Sequence, residues 1–196
     1  MKIKLGILGI VLMTTISSYA QNGKISSEER EFLLNFLEIT ETDLTSTIST
    51  MTDEQWNFKP TPEAWSPAQV MAHVNSAETI VFADIKSVME KAEEEANKEK
   101  NEDAWLIGKV TDRGIKVKTP LENDPESTTK EITLKQFKDT RASIKEYLTD
   151  KKLALRSHYG KSPYGPADAY QMFLVIAAHS QRHHAQMQEV LALAKK

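Results

Sequence analysis

The sequence predicts an all-α chain, folded as a four-helix bundle with a long crossover between its second and third helices. Three observations lead there. Seven Gly and seven Pro are spread thinly over 196 residues, leaving long uninterrupted stretches. In four of those stretches apolar residues recur at intervals of three and four, the period of one helical face. Roughly 30 residues lie between the second stretch and the third, enough chain to run the length of a bundle.

Residues 1–20 read as a cleaved signal peptide rather than as part of the fold. Lys2 and Lys4 form a positive segment, Leu5 to Ile16 a mostly apolar run, and Ser18-Tyr19-Ala20 a small-residue cleavage pattern. The run falls short of the roughly 20 apolar residues of a membrane span. With no Cys in the chain, a lipid anchor on cysteine is excluded. The expectation is an exported protein, periplasmic where the cell has two membranes, whose mature domain, residues 21–196, has no stable membrane span.

The mature chain carries 23 basic and 28 acidic side chains, a net charge near −5. That balance argues against a nucleic-acid partner, which would call for a clustered basic surface. A small-molecule substrate is expected instead, and a homodimer is compatible with the composition. The lack of cysteine suits an oxidising compartment and removes any thiolate nucleophile or thiolate ligand. Chemistry must then run on His, carboxylates, hydroxyls and a metal.

The first helix is expected over about 27–50, with Ser27 as its cap, Glu28 and Glu29 in its first turn, and a face of Phe32, Leu33, Phe36, Leu37, Leu44 and Ile48. A short turn follows from Thr52, which has capping-box spacing to Gln55. Lys59-Pro-Thr-Pro breaks the helix. The second helix has the clearest start: Ser66 as cap, Pro67 at the first helical position and Gln69 completing the box. Its stripe runs through Val70, Val74, Ala77, Ile80, Val81, Ile85, Val88 and Met89. The Glu/Lys mixture from Lys91 to Asp103 reads as a solvated helix end. Residues 104–131 show little periodicity, with room for a short extended segment. The third helix is expected from Thr133 to Thr149. Lys161-Ser-Pro-Tyr-Gly-Pro marks a loop, and the fourth helix begins near Pro166, helped by Asp168, and runs on to the end.

The fourth helix holds His179 and His183 at i, i+4, on or beside the stripe of Met172, Val175, Ile176, Met187, Val190 and Leu191. That spacing stacks both imidazoles on one face, close enough to share a metal ion. A catalytic site generally takes three protein donors and keeps an open position. The best third donor is His73, between Val70 and Ala77 on the second helix. Three neutral nitrogens suit Zn²⁺ or Ni²⁺ better than Mg²⁺ or Ca²⁺, which prefer oxygen. The competing reading is a set of hydrogen-bonded core histidines with no metal.

Other candidates are weaker. Glu78 is the acidic residue near His73 and so a candidate general base, although five residues put it about 140° round the helix. Arg182 and Arg141 are candidate contacts for an anionic substrate. His158, in the loop before the fourth helix, is expected to face solvent or touch substrate, and His184 to lie outside the metal shell. No Glu-x-x-His, His-Glu-x-x-His, Gly-x-Ser-x-Gly or phosphate-binding Gly-rich loop occurs.

Trp65-Ser66-Pro67 followed by His73, together with His179-Ser-Gln-Arg-His183-His-Ala-Gln186, resembles the DinB/YfiT-like family of metal-dependent bacterial proteins. Lys109-Val-Thr-Asp-Arg113-Gly-Ile-Lys is similar to the family's segment between its second and third helices. The resemblance covers most of the mature chain. It implies a four-helix bundle with a long crossover and a divalent metal, often zinc or nickel, on three histidines, here His73, His179 and His183. The activities it implies are thiol S-transfer and a related isomerisation, both using low-mass thiols of the cytoplasm; a metal that activates water instead would make the protein a hydrolase. An exported member departs from that thiol supply. A non-catalytic metal- or small-ligand-binding bundle is the alternative, and it predicts a fourth protein donor such as His158 or His184.

Overall fold

In the computed structural model, residues 23–94, 100–115 and 128–194 are described. The expected leader, residues 1–20, lies outside the described residues. The first three helices begin on capping signals in the sequence. Helix α1 (Ser27–Ser49) is capped by Ser26, one residue before the expected Ser27. The reason is reciprocity: Ser26 Oγ accepts from Glu29 N at 3.1 Å while the Glu29 carboxylate accepts from Ser26 N at 2.7 Å. Thr52 and Gln55 close the same box on α2 (Asp53–Asn57), and Ser66 and Gln69 on α3 (Pro67–Met89). Each such cap is worth about 1 kcal/mol.

The crossover then departs from expectation. Where little periodicity was legible, Asp103–Thr111 forms a helix, α4, which buries Leu106 and Val110 against Val175 and Ala178. Nine residues give too few turns for periodicity to speak, so packing decides. Helix α5 (Lys130–Tyr147) follows, capped by Thr129. The expected loop at Lys161 is a small antiparallel hairpin, β1 (Tyr159–Ser162) with β2 (Gly165–Asp168), in register from Tyr159↔Asp168 to Ser162↔Gly165. Gly165, at φ 111°, takes the conformation that closes it. The last helix, α6 (Ala169–Ala194), therefore starts later than Pro166. Asp168 caps it, its Oδ1 accepting from Gln171 N at 2.8 Å.

Side-chain pairings fix the helix directions. The Tyr170 hydroxyl donates to Glu29 O at 3.0 Å, and Thr47 meets His184 at 2.9 Å, so α1 and α6 run parallel. Arg30 donates to Leu148 O and Lys145 reaches Glu38 and Glu41, so α1 and α5 are antiparallel. His73 meets His179 while Phe82 meets Phe173, so α3 and α6 are antiparallel. Asn75 donates to Thr133 O and Phe82 packs on Tyr147, which makes α3 and α5 parallel. Parallel neighbours cannot be joined by a short turn, and this is the structural reason for the crossover. Among the described residues, no helix is long and apolar enough to cross a membrane.

Two apolar clusters fill the bundle. One gathers Leu33, Leu37, Phe82, Ile85, Ile144 and Phe173, the other Leu44, Trp56, Met71, Val74, Phe137 and Met187. A polar layer lies between them, drawn from all four long helices. The Arg141 guanidinium, fully buried, donates from Nε and Nη2 to the two oxygens of Glu78 at 2.8 and 2.7 Å. Its Nη1 donates to Leu37 O and Thr40 Oγ1, and Nη2 also to Ser180 Oγ at 2.8 Å. Its five N–H groups are thus all used.

Candidate metal centre

Three imidazoles converge between α3 and α6. Ser66 and Pro67 set the start of α3 and hence the turn that presents His73. On α6, His179 and His183 fall one turn apart on the same face. The Nε2 atoms of His73 and His179 are 3.2 Å apart, and those of His179 and His183 3.0 Å apart. One ligand atom from each of the three lies within 4.8 Å of the others.

Burial keeps these rings neutral. His179 is pushed down to about 3, first by loss of hydration and then by the neighbouring His73 and Arg182. His183 is held well below the ordinary imidazole value, mainly by burial and then by His179 and His73. Burial also lowers His73. Neutral imidazole carries one N–H and one free lone pair. His183 Nδ1 lies 2.8 Å from Gln186 Oε1, an acceptor, so Nδ1 holds the proton and the lone pair sits on Nε2, facing its neighbours. His73 Nδ1 has no partner among the described residues; its ring is held by packing on Trp65, with centroids 5.2 Å apart.

These residues fit a divalent ion. Zinc sits about 2.0–2.1 Å from imidazole nitrogen. Two such bonds separate their nitrogens by about 2.9 Å at a right angle and about 3.4 Å at a tetrahedral one. The observed 3.0 and 3.2 Å fall between the two. Without an ion, lone pairs of neutral rings would crowd one another with too few protons to share.

The donors stand at the wall of a cavity of about 690 Å³, within the range of small-molecule sites. The other sequence candidates are placed as follows. Glu78 borders the cavity but is only 1% exposed, and both its oxygens are engaged by Arg141; Ser180 Oγ donates to one of them at 2.5 Å. Arg141 is sealed in the core behind it. Arg182 also borders the cavity, yet it donates to the carbonyls of Val110, Asp112 and Ile115, pinning the end of α4 to α6. His158 is a correction: expected toward solvent, it is buried, with Nδ1 3.1 Å from Val88 O, away from the cavity. The second helix reaches Val88 as expected, but the hairpin that begins at Tyr159, next to His158, was not foreseen. His184 turns toward α1, at Thr47 and Asp43. Trp65 and Gln186 are the site residues whose roles sequence reasoning missed. Their signal was present as spacing: Trp65 precedes the cap of α3, and Gln186 lies three residues after His183.

The DinB superfamily model matches residues 37–187. Among solved structures, the chain is similar to YfiT from Bacillus subtilis, described as a probable metal-dependent hydrolase with an unusual four-helix bundle topology. The TM-score is 0.58 at 19% identity, covering 85% of this chain and 87% of that one. No curated protein matches the chain.

Proposed function

Since the chain belongs to the DinB superfamily, we propose that it is an exported metal-dependent enzyme, with a divalent ion, zinc or nickel, on His73, His179 and His183. The observation that carries this reading is the convergence of three neutral imidazoles on the wall of a cavity of about 690 Å³. When bound, the ion supplies Lewis acidity that makes a water or a thiol nucleophilic at neutral pH. Hydrolysis is the first reaction to test, since export would take the protein away from cytoplasmic thiols; S-transfer is the second. The signal-peptide pattern of residues 1–20 supports export, to the periplasm where there is one.

The chain's own residues serve this chemistry by position. Gln186 holds the proton of His183 on Nδ1, away from the cavity. Burial keeps all three rings unprotonated. Glu78 acts by fixing Arg141 and Ser180, and so the turn of α6 that carries His179, rather than by moving protons.

The non-catalytic alternative calls for a fourth protein donor closing the shell. His158 and His184, the two candidates, are held by Val88 and by Thr47 instead. That favours a site with room for substrate. The test is elemental analysis of protein purified without a histidine tag, followed by turnover assays on ester and amide panels. One metal per chain with metal-dependent hydrolysis is expected. Protein that holds no metal, and regains none on dialysis against zinc or nickel, overturns the proposal.

A further inference from the structure

Arg182 commits a buried guanidinium to the backbone oxygens of Val110, Asp112 and Ile115, which flank Arg113. Asp112 Oδ1 accepts from Gly114 N at 2.8 Å and tightens the same turn. The backbone that carries Arg113 is thereby fixed against α6, and the Arg113 side chain borders the cavity beside the histidines. There its Nε and Nη2 donate to the two oxygens of Glu189 at 3.2 and 2.8 Å.

That ion pair is open to water, the Arg113 side chain being 25% exposed and that of Glu189 58%. Exposed pairs contribute little to stability, so exchanging Glu189 for another carboxylate costs little. A ligand whose apolar part fills the cavity also shuts water out of the new pair, which strengthens it over the old one. The guanidinium fork matches a carboxylate with two parallel hydrogen bonds. The surroundings favour one negative charge. Arg182 keeps its own charge on the same wall, and an ion on the three histidines would add to it. Glu78 is matched by Arg141, while Glu63 and Glu189 stand exposed at the rim and would repel a second charge.

We propose that Arg113 is a specificity-determining residue, which exchanges Glu189 for the carboxylate of a small organic acid, and that Arg182 positions it. Glu189 lies six residues beyond His183 on α6, about 9 Å along the axis. The carboxylate is therefore several bonds from the atom that meets the histidines. In the other direction α6 lines the cavity with Val175 and Ile176, and the antiparallel α3 with Val81. The ligand class that fits is a monocarboxylic acid with an aromatic or branched apolar end, joined through an ester or amide that falls at the donors. As a statement about substrate, this rests on the enzymatic reading above; as a statement about binding, it stands separately.

Dansylglycine and its methyl ester test this, since they share one fluorophore and differ by a single charge at about pH 7. The full chain is titrated with each in chelator, so that no ion can hold the carboxylate. The acid is expected to bind about fivefold more tightly than the ester, or better. Arg113→Gln should bring the two within about twofold of each other, and Glu189→Gln, which removes the competing carboxylate, should tighten the acid about threefold or more. Both variants break the same ion pair, so a purely structural role would move them in one direction. Arg182→Lys, which keeps the charge but has fewer donors for the turn, should weaken the acid and leave the ester unchanged. An acid preference absent from the parent, one that Arg113→Gln leaves intact, or a Glu189→Gln variant that binds the acid no better overturns the proposal. Metal uptake is measured on the same proteins. Protein that prefers the acid but takes up neither zinc nor nickel defeats the enzymatic reading alone, and protein that takes up metal but shows no acid preference in chelator defeats this inference alone.

Discussion

His183 Nδ1 and Gln186 Oε1, one turn apart on α6, lie 2.8 Å from each other, and this contact decides which nitrogen of His183 is free. Loss of such a partner generally lowers metal affinity 10–100-fold. Gln186→Leu is therefore expected to weaken zinc binding by that factor in calorimetric titration. Gln186→Glu, which keeps an acceptor, should stay within tenfold of the parent. Thermal stability in chelator should be unchanged in both, separating positioning from folding.

Metal should stabilise the fold through its three donors together. Free ion at a hundredfold excess over its dissociation constant adds about 2.7 kcal/mol. For a domain of this size that raises Tm by about 5–10 °C. His73→Ala and His179→Ala are each expected to abolish the rise, as read by calorimetry with and without zinc. A rise that persists in both variants would place the ion elsewhere.

The Glu78–Arg141 pair should behave as a buried ion pair does. Arg141→Met leaves the Glu78 carboxylate buried without its cation, a loss of about 3–5 kcal/mol by urea unfolding. The double variant Glu78→Leu with Arg141→Met should recover most of that loss. An equal deficit in single and double variants would contradict the account of the polar layer.

Acid should destabilise the metal-free protein from an unusually high pH. Unfolded histidine takes up a proton near 6.5. The folded protein holds His179 down to about 3, with His183 and His73 also lowered, because burial disfavours the charged ring. Between those values the unfolded state binds more protons, so unfolding becomes easier as pH falls. The stability present above pH about 6.5 should decline by about 1.4 kcal/mol per unit for each histidine involved. Denaturant titrations in chelator from pH 8 to 5 would show it. Replacing His179 and His183 with Gln should flatten the slope.

The long helices and the clustering of the three histidines were legible in the sequence because each had a local signature. Ser66-Pro67-Gln69 specifies where α3 starts, and that start fixes the face on which His73 emerges. The i, i+4 spacing of His179 and His183 needs nothing but a helix. What the sequence did not show depends on distant partners. α4 is too short for its periodicity to count, and it exists because Leu106 and Val110 find α6. His158 looked like a loop residue because nothing local says that Val88 O and a hairpin will enclose it. Glu78 lies off the ligand face as its helical angle implies, but its pairing with Arg141 follows from the parallel α3–α5 contact, which no single helix encodes.

His73 and His179 are 106 positions apart in the chain, with the crossover and α5 between them. Closing a loop of that size is slow compared with winding either helix. The ion's three-point grip therefore does not exist in the unfolded chain, and its affinity is gained together with the tertiary structure. Under the proposed metal site, tight binding of an ion would then report that the whole bundle has closed. A chain stalled with α6 undocked would release the ion and be recognisable by that loss alone.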